Sequence, residues 1–333
     1  METRKYNSVD LCKLIMAICV VAIHTRPLEN CPIDLVNNMY GPFVQMAVPF
    51  FFITTGFFLG KKMGIPFTGE NNEIIIKQYL LKIIKMYLIW TAIYFPMAVY
   101  HFISTDRKPI IAVLLYIRGF ILIGEQYNSW QLWYLLSTIY ALLFILLLMK
   151  HKMTIKSIMC VGVGLFIISI TITNLTEYQG TLPAFILIIK KLLKWSIGEG
   201  RMLTGAFYIP IGIYFSKEEL HWLVSWILMI GGYVANAIIY SSGISIFLTA
   251  VSAIGFFEII IRINLPDSEL YRTVRKMSTA IYFIHMYVWS IYYKFVYGEK
   301  TYGFDCFAMT VFICVAIAFI YVKAMDLHKH LHD

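Results

Sequence analysis

The chain has 333 residues, 59% of them hydrophobic and 14% charged, where soluble domains carry roughly 45–50% and 25%. No water-soluble core of that length hides so much apolar surface, which excludes a soluble globular protein. The formal net charge of +9 does not point to nucleic acid, because the basic residues sit in short clusters at the ends of apolar runs, where lipid headgroups and topology account for them.

Apolar runs of about 17–25 residues recur along the chain, each long enough to cross a hydrocarbon core of about 30 Å as a helix. The first, 8–25, follows Arg4 and Lys5 and meets no small-residue cleavage site, so it reads as a retained helix rather than a signal peptide. Further crossings are expected at 40–60, 79–101, 131–150, 155–173, 203–217, 221–240, 243–263, 277–297 and 305–323. Residues 108–124 carry Arg118 in mid-run, and 182–196 carry Lys190, Lys191 and Lys194. A charge at the bilayer centre costs at least about 2.5 kcal/mol, so these two stretches are expected to lie on the membrane surface as interfacial amphipathic helices. The expected fold class is an all-α integral membrane protein of about ten transmembrane helices plus those two.

Basic residues near the helix ends set the orientation. With the N-terminus inside, the cytoplasmic segments collect most of the 28 lysines and arginines, among them Arg4, Lys61, Lys62, Lys150, Lys217, Arg262, Arg275, Lys323 and Lys329. Both termini are therefore expected in the cytoplasm, provided 108–124 does not cross. The longest polar linker, 61–72, is short, so residues 1–333 are expected to form a single domain. Pro49, Pro96 and Pro210 fall inside spans, where proline frees a carbonyl and usually kinks a helix.

Ionisable groups inside a bilayer are expensive and are functional hypotheses by default. Lys13 and His24 are 11 residues apart, a rotation within about 20° of one face and a rise of roughly 16 Å. One stripe of the first helix thus carries a cation low and an imidazole high, although anchoring at the two interfaces would also account for them. Lys82 and Lys85 form an i, i+3 pair suited to phosphates as point charges, and equally to anionic lipid, which spacing alone favours. Trp133 and Tyr134 read first as an interfacial aromatic belt. Arg201 could grip an anionic substrate from outside or simply snorkel, and His285 inside the ninth span reads by itself as a packing histidine.

Gly56 and Gly60 form a small-xxx-small pair expected to pack helices closely. Glu258 and Arg262, at i, i+4, are expected to neutralise each other. Six cysteines show no metal-ligand spacing; Cys31 and Cys306 could both face outside, with a disulfide between them the less favoured reading. His328, His330 and His332 suggest adventitious metal binding at most, and no cofactor metal is assigned.

In combination these motifs resemble the acyltransferase family 3 of membrane proteins. The resemblance rests on Lys13 and His24, on the run from Val48 to Leu59, on Lys82 and Lys85, on Leu132-Trp133-Tyr134, and on the stretch from Ser278 to His285, all in family order. It implies transfer of an acyl group, usually acetyl from cytoplasmic acetyl-coenzyme A, to a hydroxyl-bearing acceptor. Lys82 and Lys85 would then hold the nucleotide phosphates, and Lys13 would meet the carrier deeper in the membrane. His24 would serve as general base or transient acyl acceptor, His285 would position the acceptor, and Arg201, Trp133 and Tyr134 would contact substrate. The family often has arginine at the basic positions and histidine where Gln131 stands.

Within the family the chain is most similar to the membrane portion of the membrane-bound serine racemases of vancomycin resistance, through Val20–Leu28, Ala47–Phe58 and Lys82–Tyr100. There a racemase domain follows the membrane part, whereas this sequence ends at Asp333, so no racemase chemistry is expected within it. That likeness implies an alternative in which the protein takes up or delivers L-serine to a racemase domain or partner, with Lys13, His24 and Arg201 lining the path and the Pro-kinked helices gating it. A structural anchor is a third reading. Each places the protein in the bacterial plasma membrane, among lipids and without nucleic acid.

Overall fold

The computed structural model describes residues 5–239, 242–298 and 303–332. Arg4 and the side chains of Lys329, His330 and His332 lie outside the described residues. The described residues are helical and turn, with no strand. In chain order the helices are α1 Asn7–Thr25, α2 Asp34–Gln45, α3 Ala47–Lys62, α4 Glu70–Ser104, α5 Pro109–Arg118, α6 Trp133–Lys150, α7 Ile155–Glu177, α8 Ala184–Ser196, α9 Gly205–Phe215, α10 Trp222–Trp226, α11 Gly232–Ile239, α12 Ser242–Ile260, α13 Glu269–Ile291 and α14 Phe304–His332.

Among the described residues, eight helices are long and apolar enough to cross a membrane: α1, the joined α2–α3 (Asp34–Lys62), α4, Trp130–Lys150, α7, Trp222–Ile239, Gly243–Ile260 and Phe304–His328. Two expected crossings fall outside that set for different reasons. The stretch at 203–217 forms α9, whose 11 residues rise only about 16 Å. The stretch at 277–297 forms α13, which is long enough at 23 residues but is diluted by Arg275, Lys276, Ser278, Thr279 and His285. The second expected crossing begins earlier than its apolar run, at Asp34, and is interrupted at Met46. Pro49 explains the break, since its ring opposes the carbonyl four residues back, at Gln45. The two stretches assigned to the surface are helices as well, α5 running through a wide π turn to Ile123 and α8 covering Ala184–Ser196.

The chain packs as two compact units, one of Met1–Phe51, Leu220–Tyr240 and Leu248–Asp333, the other of Phe52–Glu219 and Ser241–Phe247. In the first unit, Ala17 and Val21 of α1, Met277 and Ile281 of α13, and Cys314, Ala318 and Val322 of α14 form one buried cluster. The start of α1 is tied down by polar contacts: Ser8 Oγ donates to the Ile260 carbonyl at 2.8 Å, Asn7 Nδ2 to that of Pro266 at 3.0 Å, and Lys5 pairs with Asp267. Lys5 holds the Asp267 carboxyl below its usual range. Buried Glu258 accepts from Arg262 Nη2 at 3.0 Å and from the Leu220 backbone N–H at 3.2 Å, so the i, i+4 pair does neutralise itself.

In the second unit α9 is buried almost throughout, packed by α3, α6 and α7. Side chains would block that packing: a Cβ at Gly56 would strike the Ile209 carbonyl, one at Gly60 the Ser216 side chain, and one at Gly212 the Ile53 carbonyl. The small-residue pair of α3 thus sets backbone against backbone. Because α9 is enclosed by protein on all sides, its polar groups and its Pro210 are tolerated within an apolar assembly. All six cysteines are free thiols, Cys31 and Cys306 included.

Candidate functional site

The first unit brings three of the singled-out residues onto one seam. Lys13 Nζ lies 3.4 Å from Asp10 Oδ1, one helical turn back, and Arg275 Nη1 of α13 lies 3.3 Å from Asp10 Oδ2. The Lys13 and Asp10 side chains are only 16% and 9% exposed. One carboxylate thus serves two cations, leaving a net positive charge at this end of the seam. At the other end the rings of His24 and His285 stack, with centroids 5.3 Å apart and planes 27° from parallel. Asp10 meets Arg275 and His24 meets His285, so α1 and α13 run side by side in the same direction.

His285 is fully buried. Its Nδ1 lies 2.8 Å from the Tyr282 carbonyl and 3.2 Å from that of Ile281, and its Nε2 is buried without a hydrogen-bond partner. The Tyr282 ring tilts beside it at 6.2 Å and in turn packs edge-on against Phe51 at 5.5 Å. The wall around the imidazole pair is therefore aromatic and aliphatic, with a positive pair of groups further along the same helices.

The remaining singled-out residues belong to the second unit. Lys82 and Lys85 are exposed on α4 and hold no carboxylate among the described residues. Lys77, one turn earlier, is held by Glu73 at 2.6 Å. Arg201 lies 6.0 Å from the Trp133 ring centroid, pairs with Glu199, and places Nη1 3.5 Å from Glu125 Oε1. Burial pushes the Glu125 carboxyl up to about 7, against the pull of Arg201 and with the help of Glu199. Tyr134 shares a 2.8 Å hydrogen bond with Thr55 Oγ1 and packs on the Phe52 ring at 4.5 Å. Trp133 and Arg201 thus meet, while Tyr134 faces α3.

Reading the sequence left out four polar groups in these clusters: Asp10 and Arg275 beside Lys13, and Glu125 and Glu199 around Arg201. The i, i+3 spacing of Asp10 and Lys13 is a usable signal, and Glu199 is two residues from Arg201 in a turn where spacing fixes no common face; the pairings of Arg275 with Asp10 and of Glu125 with Arg201 join distant segments and leave no local trace. Among the described residues no three His, Cys, Asp or Glu side chains gather as they would around a metal ion.

Comparison with known proteins gives three relatives, all named as racemases. An "Amino-acid racemase" of Enterococcus faecalis is 33% identical over 164 residues, 47% of this chain and 22% of the relative. A "Serine/alanine racemase" of Enterococcus gallinarum is 24% identical over 170 residues, 50% of this chain and 23% of the relative. A second "Amino-acid racemase" of Enterococcus faecalis is 29% identical over 152 residues, 42% of this chain and 20% of the relative. The matches thus span about a fifth of each relative's length. No solved structure matches. The model of the acyltransferase domain of acyltransferase family 3, in contrast, matches residues 6–323, nearly the whole chain. This membrane protein therefore belongs to the acyltransferase family 3.

Proposed function

We propose that the protein transfers an acyl group, acetyl in the simplest case, from a cytoplasmic coenzyme A thioester to a hydroxyl-bearing acceptor. The observation that carries this reading is the seam between α1 and α13, where a largely enclosed Lys13–Asp10 pair joined by the half-exposed Arg275, and a pair of stacked imidazoles, occupy opposite ends of the same two helices. A thioester donor with phosphates needs cations at one end and a nucleophile or base at the other, separated by roughly the 16 Å that eleven helical residues rise. Lys13, assisted by Arg275, meets the donor's phosphate-bearing carrier; His24 attacks the thioester and holds the acyl group in transit. Lys82 and Lys85 supply phosphate-binding charge on α4, and Arg201, Trp133 and Tyr134 contact the substrate. We place both termini in the cytoplasm of a bacterial plasma membrane and count ten crossings, with α5 and α8 on the surface. The ninth crossing is α13, whose Ser278 and His285 are buried in the first unit while Arg275 and Thr279 near its start stay exposed.

The test is binding of acetyl-coenzyme A to the purified protein by calorimetry. Stoichiometric binding is expected, lost in Lys82→Ala or Lys85→Ala, with turnover lost in His24→Ala. Full activity in His24→Ala removes that residue from the mechanism. A second reading is favoured by one observation, the racemase names of all three relatives. In it the chain delivers L-serine to a racemase partner or domain. Uptake of labelled serine into proteoliposomes, with no binding of acetyl-coenzyme A, would decide for delivery.

A further inference from the structure

We infer that His285 is the base that takes the proton from the acceptor hydroxyl, and that it does so at Nε2; this rests on the acyl-transfer reading above. The assignment begins with the two backbone carbonyls at its Nδ1, 2.8 and 3.2 Å away. A carbonyl oxygen only accepts, so Nδ1 must carry the hydrogen. In a neutral imidazole the other nitrogen then holds a bare lone pair. That nitrogen is buried and has no donor in the protein, a state that costs free energy until something donates to it. No carboxylate pairs with the ring among the described residues, so nothing stabilises it as a resident imidazolium. The group that completes the site is a neutral donor small enough to enter an aromatic wall, and an alcohol O–H fits; a carboxylate or phosphate brings only acceptors.

The stacked partner supplies the second half of the chemistry. His24 lies 5.3 Å away, ring to ring, which places the acyl-carrying group beside the base. A His24 ring nitrogen attacks the thioester carbon, the C–S bond breaks, and the departing thiolate takes the proton that the acylated ring releases. The acceptor O–H then gives its proton to His285 Nε2 as its oxygen bonds to the acyl carbon. The C–N bond to His24 breaks, and the proton on Nε2 passes to the freed His24 nitrogen. The sum moves one acyl group from sulfur to oxygen, releases one thiol, and leaves His285 as it began and His24 neutral in its other tautomer, which a proton exchange with solvent restores. His285 accepts the proton because the backbone has already fixed which nitrogen is free.

Two measurements test this on the full chain in detergent. Magnetic resonance of isotope-labelled histidine nitrogens, with the His285 signal identified by its loss in His285→Gln, is expected to show Nδ1 protonated and Nε2 bare. Radiolabelled acetyl-coenzyme A, with methyl glucoside and water as hydroxyl probes, is expected to leave label on the protein in His285→Gln while transfer falls by about 10²–10⁴-fold; His24→Ala takes no label. A protonated Nε2, or a His285→Gln protein that passes label on at the wild-type rate, overturns the base role alone. A wild type that neither takes label nor passes it to methyl glucoside or water overturns the acyl-transfer reading and the base role with it.

Discussion

The protein keeps its lysines in two contrasting settings. Lys13 is nearly enclosed in the first unit and held by a carboxylate that also serves Arg275, whereas Lys82 and Lys85 stand exposed on α4 of the second. A buried charge costs several kcal/mol unless it is paired with good geometry, so a lysine at position 13 requires Asp10, and the fold is built around both. An exposed lysine imposes no such requirement. On the acyl-transfer reading, function and stability are therefore entangled at Lys13 and separable at Lys82 and Lys85.

The largest expected effect comes from breaking the entangled site at its anion. Asp10→Ala leaves Lys13 buried without its carboxylate and sets it against Arg275, a change of the kind that costs about 3–5 kcal/mol. The detergent-purified variant should melt well below wild type, and Asp10→Asn, which keeps an acceptor oxygen, should fall between the two. An Asp10→Ala protein with a wild-type melting point would show that Lys13 reaches water and would erase the contrast.

At the other setting the opposite pattern is expected. Lys82→Ala and Lys85→Ala should leave stability within about 0.5 kcal/mol of wild type, as surface changes usually do. Each should still lose stoichiometric binding of acetyl-coenzyme A, its affinity falling by about ten- to hundredfold, the equivalent of one charged hydrogen bond worth about 1.5–3 kcal/mol. Raised salt should mimic the loss, because exposed charges are screened. If the two variants melt early but bind normally, the lysines serve packing or lipid, and the comparison reverses.

These settings differ also in how far they could be read from sequence. Hydropathy located the helices, because the bilayer demands long apolar runs and leaves few other ways to fold. It missed the start of α2, where Asn37, Asn38 and Pro42 hide a helix, and at α9 it could not tell a helix walled by protein from one facing lipid. The stripe of Lys13 and His24 was legible since one helix fixes both. Arg275 beside Asp10 was not, being 265 residues away, and spacing alone made His285 a packing residue. Only the likeness to a family put the two histidines in one list; their stacking is a product of α1 and α13 running together. Glu125 and Glu199 are silent for a simpler reason, as they sit in a loop and a turn where no periodicity reports on neighbours.

Glu125 offers the finest test, because it is an acid in a setting between the two extremes. Its side chain is 25% exposed, and its arginine partner, at 49%, is half in water, so burial outweighs attraction and lifts its pKa from 4.5 to about 7. Between those two values the folded chain holds a proton that the unfolded chain has released. Stability contributed by this group therefore falls as pH rises through that window and is fully lost above about 7. Glu125→Gln carries no such penalty, so its melting point relative to wild type should climb from about pH 5 to about pH 7 and then level off. The effect is small because solvent screens the Arg201 side of the cluster, which makes its direction the informative part. A difference that stays constant with pH, or falls, would mean that Glu125 is ionised and satisfied throughout, as firmly paired with Arg201 as Asp10 is with Lys13.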